Sequence, residues 1–436
     1  MKRQIWMEYR KLWNKVSVVA VIAMCVVVVL HLFVYLNLQY RTIDSNGKIV
    51  EGISSYRALK EASKDLEGVM DGEYIKKLIA SYNNSFEKEY LAEHKGFLGT
   101  AGMMKYMVPN YCINYAYFGP YMSNGNEKVG LDYDFLESEE KFYAAYKKAV
   151  KEELEEDAEF LYFGYSDEQL SVLNKKADNI KTPFITGYAQ GLFNLRTWFI
   201  WDYSLVFFVL AFALAGLFAK DNTGGVTELT LSSKYGRRRN LNARWIAGNL
   251  FAASVYLIYL VVQIIVNGII GTLAGWNLSA QMLWTYCLHN ITIGDGLLIM
   301  FLGGLLGTLV IGNISMMFSM KLKNIKIAAI FSVIVVILIR QTANMGDLYG
   351  LIELFSPMHF ESDSLIQLYL FVGNIAVPFF VAVFIVALLY VAVLYVGMRL
   401  SYKRYAVSRN DLSHFSFKRV DILGFVFSRF SKSRCG

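Results

Sequence analysis

Imidazole is the common general base and metal ligand, so the five histidines are the first residues to weigh for chemistry. His31, His94, His289, His359 and His414 never pair at the spacing of an HExxH helix, which excludes that zinc-protease chemistry. A GxSxG nucleophile elbow is missing, as is a convincing Ser, His, Asp order. Gly99, Gly102 and Lys105 stand in a glycine-rich segment without the GxxxxGK[ST] spacing of a phosphate loop, so ATP hydrolysis is not expected of this chain. Glu152, Glu153, Glu155, Glu156 and Asp157 are crowded enough to suggest a metal cluster. Consecutive helical positions point in different directions, so a solvated acidic face is the expectation. Cys25, Cys112, Cys287 and Cys435 show no CxxC or metal-ligand spacing. The chain therefore predicts no catalytic, cofactor-binding or metal-binding residues of its own.

Ion-coupled transport would place ionisable groups near the middle of a membrane. Asp202, Asp295 and Arg340 are expected at helix ends, leaving the helix centres uncharged, with Asn267, Asn313 and Asn374 as polar groups that an ion path could use. The chemistry left to such a chain is passage of a substrate, driven by something else.

The elements that must position these residues are apolar. The chain has 436 residues, 55% of them hydrophobic and only five of them proline, and its mean hydropathy is +0.35. A helix needs about 20 apolar residues to cross the hydrocarbon core. Six stretches approach that length, at 16–39, 199–219, 245–273, 296–319, 325–343 and 369–398. The fifth is the weakest, bounded by Lys326 and Arg340, which can snorkel. The first follows Lys2, Arg3, Arg10, Lys11 and Lys15 but has no small-x-small cleavage site, so a retained anchor is expected rather than a signal peptide. The spacing of Ile5, Trp6, Tyr9, Leu12, Trp13 and Val16 predicts an amphipathic helix before it, for anchoring or for contact with a partner.

Charge sets the expected orientation. The hydrophilic insert 41–197 carries 25 acidic and 19 basic residues, so the formal net charge of +7 is the sum of −6 in the insert and +13 elsewhere. Outside the insert, lysine and arginine gather before helix 1, at 220–244, at 321–326 and after helix 6, while 274–295 and 341–368 contain none. The positive-inside rule then puts both termini in the cytoplasm and the insert outside. This basicity is explained by topology and by attraction to membrane lipids rather than by nucleic acid. Cys112 and Cys287 would share the outer side, where a disulfide is one reading and free thiols the favoured one.

The insert reads mainly helical. Tyr74, Ile75, Leu78, Ile79, Tyr82, Phe86 and Tyr90 make one apolar stripe, and Tyr143, Tyr146, Val150, Leu154 and Leu161 another. Ser166 to Gln169 has capping-box form, and 96–130 is loop-like. The tyrosines suit carbohydrate or peptide binding, but packing of a small helical domain with hydroxyls at its surface is the stronger expectation. The fold class expected is thus an all-α integral membrane protein of six transmembrane helices with a mainly helical extracellular insert between helices 1 and 2. Its parts are an amphipathic helix at 1–15, helix 1 at 16–39, the insert at 40–198, helices 2–6 across 199–400, and a basic tail at 401–436.

The connection 220–244 between helices 2 and 3 carries a family resemblance. The sequence FAKDNTGGVTELTLSSKYGRRRNLNARW over 218–245 resembles the ABC-2 type permeases, in which helix 2 ends in an acidic residue followed by glycine, a short amphipathic helix with small residues, and a basic cluster. Asp221 stands at the acidic position, where the family more often has glutamate. Gly224 and Gly225 match the turn, Leu229 and Leu231 the apolar part, Ser232 and Ser233 the small residues, Arg237 the common arginine, and Arg244 the place of a frequent lysine. Val226, Leu229 and Thr230 can share one helical face, and Glu228 and Ser232 another. Arg237, Arg238 and Arg239 are equally what the positive-inside rule would supply. The external segment 344–368, with LIELFSPMHF at 351–360, resembles the short re-entrant helices of the same fold.

The resemblance covers nearly all the chain except the insert, and it implies a membrane subunit of a bacterial ABC exporter. It implies a separate ABC ATP-binding subunit, holding ATP and magnesium, docked beneath the loop at Asp221, Gly224, Gly225, Glu228, Leu229, Leu231, Arg237, Arg238 and Arg239. It also implies a second permease subunit, the same chain or a paralogue. Gly303, Gly304 and Gly307 form a small-residue face for close helix packing, between subunits or within this chain. An amphiphilic cargo such as a peptide antibiotic or lipid is the expectation. The other functions considered are a membrane sensor or adaptor whose insert binds a ligand, and a proton-coupled transporter.

Overall fold

The computed structural model describes residues 1–39, 41–43, 49–64, 67–83, 138–160, 164–223, 238–322, 324–342, 354–357, 360 and 363–405. These residues are mostly helical. Five helices are long and apolar enough to cross a membrane, at Lys15–Leu36, Ser204–Asp221, Arg238–Gly271, Ile293–Lys321 and Phe379–Tyr402, and a shorter apolar helix covers Ile325–Ile339. This is the makeup of a multi-pass membrane protein.

Helix α1 (Lys2–Leu12) and α2 (Lys15–Gln39) meet at Asn14. The Asn14 carboxamide oxygen accepts from Val16 N at 3.0 Å and Ser17 N at 3.1 Å, so it supplies the cap that opens α2. The amphipathic expectation for α1 holds for half of its stripe. Leu12 is buried and Trp13 lies edge-on to Phe251 at 4.9 Å, while Trp6 and Val16 are exposed.

In the insert, α3 (Ile53–Ser63), α4 (Gly72–Asn83), α5 (Glu139–Phe160) and α6 (Asp167–Asp178) are joined by two short antiparallel ladders. β1 (Arg41–Ile43) pairs with β2 (Ile49–Glu51), and β3 (Gly68–Val69) pairs with β4 (Ile185–Thr186). Tyr143, Tyr146, Val150 and Leu154 are buried on α5, as their spacing predicts, and Tyr74 and Ile75 are buried on α4. The hydroxyls of the α5 tyrosines are not at the surface. Tyr143 donates to Met70 O at 2.9 Å and accepts from Phe184 N at 2.8 Å, and Tyr146 donates to Thr285 O at 2.5 Å. Buried backbone groups at the β3–β4 edge and in the loop after residue 280 need partners, and the phenols supply them. Among the described residues, the insert's core is continuous with the rest of the chain: these residues share one cluster with Trp284, Ile293, Leu297 and Met300. Phe86, Tyr90, Leu161, the segment 96–130 and Cys112 lie outside the described residues. The capping box at α6 forms as expected, with both Ser166 and Gln169 bonded.

The stretch expected as one second helix is three helices in line, α7 (Gln190–Asp202), α8 (Ser204–Leu214) and α9 (Gly216–Thr223). Helix α10 (Arg238–Gly271) follows, then α11 (Ile293–Lys321) and α12 (Ile325–Thr342). Thr292 and Asp295 form a capping box at the start of α11, so Asp295 sits at a helix end as expected.

The last apolar stretch begins differently from the expectation. Residues 369–378 form a hairpin of β5 (Tyr369–Val372) and β6 (Ile375–Pro378), after the four-residue helix α13 (Ser364–Gln367), and only then does α14 (Phe379–Tyr405) begin. Val372 pairs with Ile375 across Gly373, whose φ is +62°. A two-residue glycine-containing loop is a hairpin signal, but it lies inside a continuous apolar run whose composition does not separate strand from helix.

Candidate functional site

The connection 220–244 is built from its two ends. Helix α9 brings Asp221 and α10 brings Arg244, and the guanidinium Nη2 lies 2.6 Å from Asp221 Oδ2. Arg244 Nη1 donates to Leu217 O at 3.2 Å, and the guanidinium covers the Phe218 ring at 5.7 Å. Arg244 is buried and Asp221 half-buried. A charge so placed is costly unless paired and hydrogen-bonded, so the pair fixes where the connection leaves and re-enters the helices.

Helix α1 reaches the same point. Glu8 is buried, its Oε2 is 3.5 Å from Arg244 Nε in a looser contact, and its other oxygen holds Lys11 Nζ at 2.7 Å. Gln4 donates to Asn240 Oδ1 at 3.3 Å, and Asn240 donates to Tyr402 OH on α14 at 3.2 Å. Tyr9 OH and Ser254 Oγ are 2.9 Å apart. Four elements, α1, α9, α10 and α14, thus converge on one polar junction beside the ends of the connection. Arg238 and Arg239 begin α10 and are exposed. Gly224, Gly225, Glu228, Leu229, Leu231 and Arg237, with Ser232 and Ser233, lie outside the described residues.

The glycines of α11 face this chain's own backbone and phenols. A Cβ on Gly303 would stand 1.8 Å from Phe360 O, one on Gly304 2.8 Å from Tyr256 OH, and one on Gly307 2.5 Å from Pro357 O and 2.7 Å from Tyr203 OH. Of the two readings of this face, the structure occupies the one within the chain. The segment holding Pro357 and Phe360 is fastened further by Asp363. Arg196 Nε donates to Asp363 Oδ1 at 2.6 Å, Nη2 pairs with its second oxygen, and Trp284 Nε1 donates to Oδ1 at 2.8 Å.

The partners of three polar residues were not legible in the sequence. Glu8 has Lys11 at helical spacing, but nothing in the sequence marks Arg244 as its second partner, and Arg196 stands in an apolar and polar stretch that does not mark Asp363. His31 stands alone in an apolar run, which is a signal, but its neighbour Asp202 is far away in sequence. Asp202 does end α7 as expected, yet it is buried between α2 and α10. The apolar span begins after it, at Ser204. Cys287 is buried, and Tyr369 OH lies 3.2 Å from His289 Nδ1. Burial raises the Cys287 thiol to about 12, which leaves no thiolate to act as a nucleophile.

Set against family models, curated proteins and solved structures, the chain matches none.

Proposed function

We propose that this chain is the permease subunit of an ATP-driven exporter of the ABC-2 type, moving an amphiphile such as a peptide antibiotic or a lipid across a bacterial cytoplasmic membrane. On this reading the shorter helix α12 is a sixth span, both termini and the connection 220–244 are cytoplasmic, and the insert is outside. The charge distribution supports that orientation: the basic residues collect at one end of the helices, and 274–295 carries none. ATP and magnesium belong to a separate ABC subunit, and a second permease subunit completes the path.

The observation that carries the reading is the junction of Asp221, Arg244 and Glu8. A loop pushed by a partner transmits force only if its ends are fixed to the elements that must move. Here the ends are fixed to each other and to α1, so a displacement of the connection is passed to α9 and α10 together.

The test is to express the chain with the ABC subunit encoded beside it and measure resistance to membrane-active peptides. Resistance is expected to vanish when the partner's phosphate-loop lysine is replaced, and the two chains are expected to purify together. Resistance that survives the inactive partner would instead favour the proton-coupled or sensor functions, and robust ATP hydrolysis by the pure chain would overturn the division of labour.

A further inference from the structure

His31 is the one residue of α2 beyond Lys15 and within the described side chains that gains positive charge on protonation. At 1.5 Å per residue it stands about 24 Å along the helix from Lys15, still within the span Lys15–Leu36. Its Nδ1 lies 2.8 Å from Asp202 Oδ1, close but without the alignment of a hydrogen bond. The Asp202 carboxylate is 7% exposed and the imidazole 26%. Among the described residues, the other carboxylate oxygen has the long 3.4 Å contact from Gln263 Nε2, whose amide also reaches Tyr259 OH at 3.1 Å. The ring is enclosed by Tyr35 at 4.7 Å and Trp198 at 5.4 Å, both edge-on.

Among the described side chains, the groups facing this pair supply no other cation, and Arg57 and Lys60 on α3 are exposed. On α7 the nearest is Arg196, which is held by Asp363 and Leu283 O. Helix α8 has no charged residue, and α10 has none after Arg244. The packed elements contribute phenols and amides, namely Tyr259, Gln263 and Asn267 on α10 and Tyr35 on α2 itself. Glu51 on β2 is exposed. With a neutral imidazole the site would keep an uncancelled negative charge among apolar side chains, which is costly. One added proton cancels it, whether it rests on the ring or on the carboxylate.

We infer that His31 and Asp202 form a one-proton binding site between α2 and α7, in which the bound proton holds α2 against the bundle at the end where it runs on toward β1. This does not depend on the exporter reading. Both groups come from elements whose apolar residues, Leu32 and Leu36 of α2 and Phe199 of α7, belong to one cluster, so among the described residues the proton acts on the polar tether between them.

Trp198 reports on the site, because an imidazolium beside an indole quenches its emission. The whole chain in lipid nanodiscs would be titrated from pH 9 to 5, and the emission of Trp198 isolated as the difference between wild type and Trp198→Phe. A single quenching step is expected, absent in His31→Gln. Asp202→Asn should need at least tenfold more protons for the same step, and Asp202→Glu should restore most of it. A Trp198 difference signal flat across that range overturns the site, with no need for the His31 variant to fold. A step that is the same in Asp202→Asn as in wild type overturns the pairing.

Discussion

His289 carries the clearest pH consequence at the scale of a residue. Burial, with the Lys176 ammonium nearby, lowers its pKa from 6.5 to about 4. The ring stacks on Tyr369 at 5.1 Å and meets Phe380 edge-on at 5.8 Å, surroundings that favour a neutral imidazole. An unfolded chain binds this proton near pH 6.5, and the folded chain only near pH 4. The unfolded state therefore holds more protons inside that window, and stability must fall as pH drops through it. The contribution is fully present above pH 6.5, and its loss by pH 4 is on the order of 2–3 kcal/mol. His289→Phe keeps an aromatic ring and removes the titration. The thermal midpoint of wild type should therefore fall relative to that of the variant as pH drops from 7.5 to 4.5. An unchanged difference between the two across that range would remove His289 from the account. Ser166, Thr292 and Asn14 show the opposite case, in which a side chain acts on its immediate backbone and its role is readable locally.

Among the elements, the division of α7, α8 and α9 is a matter of where backbone groups find partners. Ser319 Oγ on α11 accepts from Phe218 N at 2.9 Å and Ala219 N at 3.2 Å and donates to Ala215 O at 2.7 Å. Backbone groups freed at the break are thereby satisfied without water, as apolar surroundings require. Tyr203, at the other break, donates to Gly304 O. Helix α11 is thus the post against which the neighbouring segments close, and its glycines set the distance. Gly303→Ala should cost about 3 kcal/mol, since the methyl would strike the Phe360 carbonyl, backbone that cannot turn aside. Gly216→Ala meets nothing within 4 Å and should be neutral or stabilising by about 0.5–1 kcal/mol. Comparing denaturation of the two variants in the same detergent checks this, and equal stability would mean that α11 is not closely approached.

For the whole molecule, the question is whether motion at one end reaches the other. Helices α9 and α10 join the polar junction at Asp221 and Arg244 to the His31 and Asp202 pair, through α8 and Tyr259. Under the proposed function, Leu229→Ser together with Leu231→Ser should leave insertion and assembly intact. It should lower export at least tenfold while the partner's ATP hydrolysis continues. Transport and hydrolysis measured in the same vesicles separate coupling from folding. If both stay at wild-type rates, the connection is a tether for lipid headgroups and its basic residues serve topology alone.

The sequence by itself determined the membrane class, because six apolar stretches in one chain admit no soluble core, and the structure gives five of them helices of spanning length. It also determined the stripe of α5 and the cap of α6, because helical periodicity and capping are local. At the connection, Asp221 and Arg244 were legible as residues through a family pattern, though not as a pair. Glu8, Arg196, His31 and Asp202 were legible only as single residues, since the partner that gives each its meaning is far away in sequence. The hairpin at 369–378 was hidden by composition, as strand and helix draw on the same apolar residues. Only the tertiary structure decided which face of the α11 glycines is filled, because a small residue leaves room but does not name its occupant. Buried charge obeys the same logic: burial makes a partner necessary, and the packing of helices decides which one it is.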